Sequence, residues 1–158
     1  MSFATLLLAG SALVSVAAVG AALVSQHVFD MQPCPWCVLQ RVIFLAIALA
    51  AVAGLLGRAA LLRRTAAALM LLLATSGVAA ALWQHFVAAS SASCDLTLAD
   101  RITSGLGLDG WLPQVFAAYA SCADAKVNLA GLPYEFWSLA LFVAIGAAAV
   151  AVVRRPRR

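Results

Sequence analysis

Four cysteines are the residues of this sequence whose type and spacing could do chemistry. Cys34 and Cys37 form a Cys-x-x-Cys pair, and Cys94 and Cys122 are the other two thiols. A Cys-x-x-Cys pair can close a small disulfide ring. Two disulfide-capable pairs on one side of a membrane can pass electrons between them through mixed disulfides.

The first pair lies at the predicted start of a helix. Pro35 suits the first helical position, which would leave Cys34 at the N-cap and Cys37 in the first turn. Free backbone N–H groups and the helix dipole at that end favour a thiolate, which is the reactive form of cysteine. The placement is therefore one that favours redox chemistry.

Arg41 follows Cys37 by four residues, one helical turn deeper on the same face. An arginine just inside a membrane boundary is costly unless it snorkels to the headgroups or has a partner. A Cys37 thiolate would be such a partner, as would the carbonyl oxygen of a quinone and the anion formed on its reduction. Simple snorkelling is the alternative interpretation.

Cys94 and Cys122 allow three interpretations. They could staple a loop with a static disulfide, or join the first pair in a structural zinc site, with His27 or His85 as further ligands. They could also be one half of a relay in which a protein partner reaches the loop pair and a membrane quinone reaches the other pair. Zinc sites usually use two closely spaced pairs, so we expect no metal.

The elements that must position these residues are membrane spans. The chain has 158 residues, of which 65% are hydrophobic and 10% charged, against about 25% charged in soluble domains. Stretches of about 20 apolar residues are long enough to cross a bilayer. They predict one all-α membrane domain over residues 1–158, a bundle of four transmembrane helices at about 3–24, 38–56, 66–87 and 136–153.

The spans carry two further signals. Gly54 and Gly77 are small residues that would allow close helix packing. The first span lacks a basic segment before it and is longer than the apolar core of a signal peptide, so we expect it to be retained.

The charge distribution predicts the orientation. Seven of the ten basic residues lie in two clusters, at positions 58–64 and 154–158. Such clusters beside apolar runs indicate the cytoplasmic side rather than nucleic-acid binding. Both termini would then be cytoplasmic, and the loops at about 25–37 and 88–133, which hold all four cysteines, would face the oxidising periplasm of a bacterium.

The long second loop has a pattern of its own. Asp109 could cap a short amphipathic helix that begins near Trp111, with Pro113 tolerated in its first turn. Such a helix would suit the headgroup region or the top of the bundle. Gly105 to Gly110 match Gly-x-Gly-x-x-Gly but do not follow a strand, so they do not indicate a nucleotide site.

Taken together, these features resemble the DsbB family of disulfide bond formation proteins over nearly the whole chain. The resemblance comprises four spans, Pro-Cys-x-x-Cys before the second span, Gln40-Arg41 within it, and a long outer loop with two cysteines. The segments from Trp111 to Phe116 and from Gly131 to Trp137 are also similar to family segments.

The resemblance implies a quinone-dependent oxidoreductase that reoxidises a DsbA-like periplasmic thiol oxidase in the bacterial inner membrane. Cys94 would be attacked by the partner's thiol, and the released Cys122 would attack Cys34. Cys37 would lie beside ubiquinone or menaquinone, and Arg41 matches the family's quinone-site arginine. Membrane lipid would be the other contact, with no nucleic acid.

One departure concerns the histidine that lines the quinone pocket in some family members. Counting back from Cys94 puts Ala81 at that position, with His85 one turn later, so that wall of the pocket is not assigned. A structural membrane protein with static disulfides is the alternative function. A reductase similar to the vitamin K epoxide reductases is disfavoured, because those carry their redox pair near the last span.

Overall fold

The computed structural model describes residues 2–57, 59–90 and 97–154, and Cys94 lies outside these ranges. The described chain is all-α apart from a hairpin of two-residue strands. Its elements in order are α1 (Phe3–Val28), α2 (Pro35–Leu56), α3 (Ala60–Phe86), a 3₁₀ turn (Ala88–Ser90), α4 (Leu98–Gly105), α5 (Leu108–Trp111), α6 (Pro113–Phe116), β1 (Asn128–Leu129), β2 (Leu132–Pro133) and α7 (Tyr134–Val153).

The four long helices α1, α2, α3 and α7 are each long and apolar enough to cross a membrane. The chain is a multi-pass membrane protein, and the predicted four-helix bundle is confirmed. The helices run past the predicted spans at several ends, because a helix continues through polar residues that the apolar core of a bilayer would exclude. Thus α1 includes Ser25 to Val28, and α3 begins at Ala60, ahead of Arg63 and Arg64.

The bundle packs around α2, which contacts α1 on one side and α3 on the other, while α7 packs against α3 and α1. Phe142 of α7 is fully buried and stacks on Phe44 of α2 at 4.1 Å between ring centroids. A Cβ atom at Gly77 would lie 2.5 Å from the Phe142 ring, and one at Gly54 would lie 2.9 Å from Ala66 Cβ. The close packing predicted at both glycines is therefore confirmed.

The short helix predicted near Trp111 is present as α6, with Pro113 in its first turn, but it does not include Trp111 and is not capped by Asp109. Two single-turn helices, α5 and α6, occupy this stretch, and Leu112 between them adopts φ −137° and ψ 71°. The ring of Pro113 disfavours the helical conformation at the preceding residue, so the helix is interrupted there. Asp109 lies inside α5 instead of capping it, and the N-cap is Gly107 in the left-handed conformation.

The longest described helix of the second loop is α4, which was not predicted from the sequence. Its N-cap Thr97 accepts a hydrogen bond from Asp100 N–H, and the Asp100 carboxylate accepts one from Thr97 N–H. This capping box satisfies free donors of the first turn. The helix packs on α2, so the long loop lies over the end of the bundle where α2 and α7 begin and α1 and α3 end. We call this end the cysteine end.

Candidate functional site

The first cysteine pair lies at the start of α2, with Cys34 at the N-cap and Pro35 in the first turn, as predicted. Cys37 N–H donates a hydrogen bond to Cys34 Sγ at 3.3 Å, and the two sulfur atoms are 2.8 Å apart. Cys34 is completely buried and Cys37 is partly buried. The two sulfurs are therefore adjacent, with Cys34 enclosed by protein.

Cys122 reaches this pair from the long loop. It is buried in the same core cluster as Cys34, and its side chain is close enough to affect the pKa of the Cys34 thiol. The loop is held in place because the backbone N–H groups of Tyr119 and Ala120 both donate to Pro33 O, at 3.0 and 3.3 Å. The structure thus brings three of the four predicted cysteines together, with Cys34 in the middle, and the fourth, Cys94, lies outside the described residues.

The environment of Cys34 favours the neutral thiol. Burial, followed by the interactions with the neighbouring thiols of Cys122 and Cys37, raises the pKa of Cys34 well above its ordinary range. A protonated Cys34 can donate a hydrogen bond to a neighbouring sulfur. Of the two thiols at the start of α2, Cys34 is therefore the one that the protein keeps uncharged.

Besides its contact with Cys34, Cys37 accepts a hydrogen bond from one of two paired glutamines. Gln84 of α3 donates from Nε2 to Cys37 Sγ at 3.3 Å, and its Oε1 accepts a hydrogen bond of 2.7 Å from Gln40 of α2. Both glutamines are buried. The Gln40 contact fixes which end of the Gln84 amide faces the sulfur, so a donor is directed at Cys37.

Arg41 is buried at 5% exposure and does not snorkel. Its Nη1 donates to Gln26 Oε1 at 2.7 Å and to Val115 O at 2.9 Å, and its Nη2 donates to Ala22 O at 3.5 Å. Gln26 in turn donates from Nε2 to Gln114 O at 3.2 Å. Arg41 and Gln26 therefore connect α2 and α1 to α6 of the long loop.

The Nε of Arg41 is different from its other donors. It is buried without a hydrogen-bond partner among the described residues. A buried unpaired donor on a charged group is costly. This atom is therefore a candidate contact for an acceptor that binds beside α2.

A cavity of about 260 Å³ opens next to Cys37 and Arg41. Small residues of α1 form one wall, α2 and α7 form the others, and Gln84 closes part of it. Most of the lining is apolar, with a few polar groups near Cys37, which is the usual character of a small-molecule site. The lining residues are Ala18, Ala21, Ala22, Ser25, Cys37, Gln40, Arg41, Phe44, Gln84, Leu129, Tyr134, Glu135, Trp137, Ser138 and Leu141. We call it the α1–α2–α7 cavity.

Three residues of this site, Gln26, Gln84 and Glu135, were not predicted as site residues from the sequence. Each is a buried polar residue in or at the end of an apolar span, and such residues in membrane segments are costly without a role. The presence of a polar residue in an apolar span could therefore have marked them as candidates. The sequence could not show which residues they contact, because those partners are distant along the chain.

A metal site was one of the interpretations of the four cysteines. Within residues 2–57, 59–90 and 97–154, no group of three His, Cys, Asp or Glu side chains is placed to hold a metal ion. Cys94 lies outside those ranges. The expectation of no metal therefore stays a prediction for the whole chain.

Comparison with known proteins identifies the family. The profile described as "Disulfide bond formation protein DsbB" matches residues 4–152. The chain belongs to the DsbB family. A relative from Ralstonia nicotianae, named Disulfide bond formation protein B, is 33% identical over 149 residues, which cover 93% of this chain and 92% of the relative.

Two further relatives with the same name support the assignment. The relative from Cupriavidus metallidurans is 31% identical, and the matched region covers 92% of this chain and 91% of the relative. The relative from Escherichia coli K12 is 34% identical, and the matched region covers 81% of this chain and 73% of the relative. The DsbB family resemblance of the sequence is thus confirmed, and the chain is a disulfide-bond-forming membrane protein.

Proposed function

We propose that this DsbB-family protein reoxidises a DsbA-like thiol oxidase and passes the electrons through two cysteine pairs to ubiquinone or menaquinone. The observation that carries the proposal is the position of Cys34, whose sulfur neighbours Cys37 on one side and Cys122 of the long loop on the other. Cys37 in turn lines the α1–α2–α7 cavity. These neighbours support the proposed path from the loop to the cavity.

The thiol chemistry proceeds by exchange. A partner thiolate attacks Cys94 of a Cys94–Cys122 disulfide and releases Cys122, which attacks Cys34 of the Cys34–Cys37 disulfide. A Cys34–Cys122 bond forms, and Cys37 is released beside the cavity. Over the whole cycle the partner's two thiols lose two electrons and two protons and become a disulfide, while the four cysteines return to their starting bonds.

The residues of the cavity fit a quinone. Its walls are mainly apolar, as the ring and tail of a quinone require, and the unpaired Nε–H of Arg41 is a donor that lacks an acceptor such as a carbonyl oxygen. A bound quinone supplies a two-electron, two-proton acceptor. Arg41 would hold a quinone oxygen and stabilise negative charge there, and Gln84 would keep Cys37 oriented.

The proposed location is the bacterial inner membrane with both termini in the cytoplasm. Among the described residues, Arg63 and Arg64 near the start of α3 and Arg154 after α7 lie at the end of the bundle opposite the cysteine end. Lysine and arginine near span ends favour the cytoplasmic side. The cysteine end would then face the periplasm, where disulfides persist.

A trapping experiment tests the proposed path. The partner is a DsbA-like protein whose second active-site cysteine is replaced by alanine, so that its mixed disulfide with Cys94 cannot resolve. After mixing, acid quenching and alkylation, mass spectrometry identifies the bonded cysteines. We expect a Cys34–Cys122 peptide together with alkylated Cys37.

The control is the Cys122→Ser variant. It has no loop disulfide for the partner to attack, so Cys94 should be alkylated as a free thiol and the Cys34–Cys37 bond should remain. If the unaltered protein also keeps the Cys34–Cys37 bond and leaves Cys122 free for alkylation, the two pairs do not exchange. The loop cysteines would then serve as a static disulfide.

A further inference from the structure

A histidine and a glutamate form a pair at the edge of the cavity. His85 Nδ1 lies 2.7 Å from Glu135 Oε1, and this contact joins the end of α3 to the start of α7. The Glu135 side chain is 10% exposed and lines the α1–α2–α7 cavity, whereas the His85 side chain is 32% exposed. The pair therefore extends from the cavity wall to the surface of the cysteine end.

From this arrangement we propose that His85 and Glu135 form a proton path that supplies the cavity during reduction of the acceptor. The inference rests on the proposed function, because a quinone must take up two protons with its two electrons. Cys37 and Arg41 line the same cavity as Glu135. Glu135 is therefore placed on the wall where the protons are consumed.

The other groups around the cavity do not offer an equivalent path. Among the described lining residues, α1 contributes only alanines and Ser25, and the titratable or charged groups are Cys37, Arg41, Tyr134 and Glu135. Arg41 stays charged and cannot transfer a proton readily, and Cys37 carries the electrons. Tyr134 donates its hydroxyl hydrogen to Ser25 at 3.4 Å, which leads back into the bundle.

The proton transfer can be written with atoms in balance. Glu135 in its carboxylic acid form gives a proton to a quinone oxygen and becomes a carboxylate. It then takes a proton from protonated His85, and the neutral imidazole takes its next proton from water. Two passes supply both protons of the quinol. The two protons released by the partner's thiols enter water, so no net protons are consumed.

The aromatic surroundings of His85 suit this role. Its ring makes edge contacts with Phe86 at 4.8 Å and Phe136 at 4.7 Å between centroids. Aromatic packing restricts the rotation of the imidazole and keeps Nδ1 directed at Glu135. The other ring nitrogen, Nε2, would then exchange protons with water, since the side chain is partly exposed.

The test uses Glu135→Gln and His85→Gln, which keep polar side chains of similar length but cannot carry the proton. The matched control is His27→Gln, because His27 is an exposed histidine near the end of α1. Two quantities are measured in the full-length protein in detergent. These are the rate of reduction of a ubiquinone analogue against pH, and its dissociation constant from tryptophan fluorescence quenching.

We expect both variants to slow quinone reduction by about 100-fold near neutral pH, the lower end of what general acid catalysis contributes. The loss should shrink at low pH, where protons reach the cavity from water, and the dissociation constant should stay within about twofold. The His27→Gln control should behave as the unaltered protein.

Two results would overturn the proton path. One is a rate within about twofold of the unaltered protein in both variants. The other is a rate loss that is equal at every pH and is matched by a loss of quinone affinity, which would make the pair a structural tie between α3 and α7. Failure of the unaltered protein to reduce quinone would instead refute the proposed function itself.

Discussion

Replacing Gln26 with methionine removes one of the two connections between Arg41 and the long loop. Gln26 is buried, accepts a hydrogen bond from Arg41 and donates one to Gln114 O. A hydrogen bond to a charged group contributes about 1.5–3 kcal/mol. Because Arg41 keeps its contact with Val115 O, we take a loss of about 2 kcal/mol as the expected effect.

This loss should appear as easier opening of the loop segment that carries Cys122. Since about 1.4 kcal/mol is a factor of ten in an equilibrium constant, about 2 kcal/mol makes opening roughly 30-fold more frequent. Cys122 is buried, so a maleimide reaches it only after opening. When closing is faster than labelling, the labelling rate follows the open population.

The assay is maleimide labelling of the reduced protein in detergent, with the modification of Cys122 followed by mass spectrometry. Gln114→Met is the matched control, because the Gln114 side chain is exposed and only its backbone oxygen accepts from Gln26. We expect about 30-fold faster labelling for Gln26→Met and no change for the control. Equal labelling rates in Gln26→Met and the unaltered protein would refute the link.

Three further predictions concern stability, measured as the unfolding temperature in detergent by intrinsic fluorescence. Gln40→Leu and Gln84→Leu should each cost about 1–3 kcal/mol by leaving a buried partner unpaired, and the double variant should cost less than their sum. Gly77→Ala should cost about 1–3 kcal/mol by overpacking, whereas Gly10→Ala, with open space around it, should not. In the reduced protein, stability should fall as pH rises above about 9.0, and less so in Cys34→Ser.

The sign of the pH effect follows from the raised pKa of Cys34. The folded protein keeps this thiol protonated, while the unfolded chain loses the proton near the ordinary value of 9.0. Above that pH the unfolded state binds fewer protons than the folded state, so stability decreases. Identical pH profiles for Cys34→Ser and the unaltered protein would contradict this. Additive costs in the glutamine pair, or a neutral Gly77→Ala, would contradict the other two predictions.

The four spans and the start of the site could be predicted from local sequence. Apolar length indicates membrane helices directly, and the positions of Cys34, Cys37 and Arg41 follow from helix geometry over a few residues. Pro35 fixes where α2 begins. Each of these inferences depends only on neighbouring residues.

The remaining features depend on contacts between distant parts of the chain. Gln26 meets Arg41 and Gln114, and His85 meets Glu135, across separations that periodicity does not encode. The loop helix begins later than predicted for a local reason, because Pro113 disfavours the helical conformation at Leu112.

The most direct test of the central claim is an anaerobic titration of the purified protein with a reduced DsbA-like dithiol protein and a ubiquinone analogue. Quinone absorbance gives the quinol formed, and alkylation of the partner gives its disulfides. We expect one quinol for each partner disulfide, and none with the Cys37→Ser variant. Partner disulfides that form without quinol, or quinol that forms equally well with Cys37→Ser, would contradict a relay through Cys37 to a quinone.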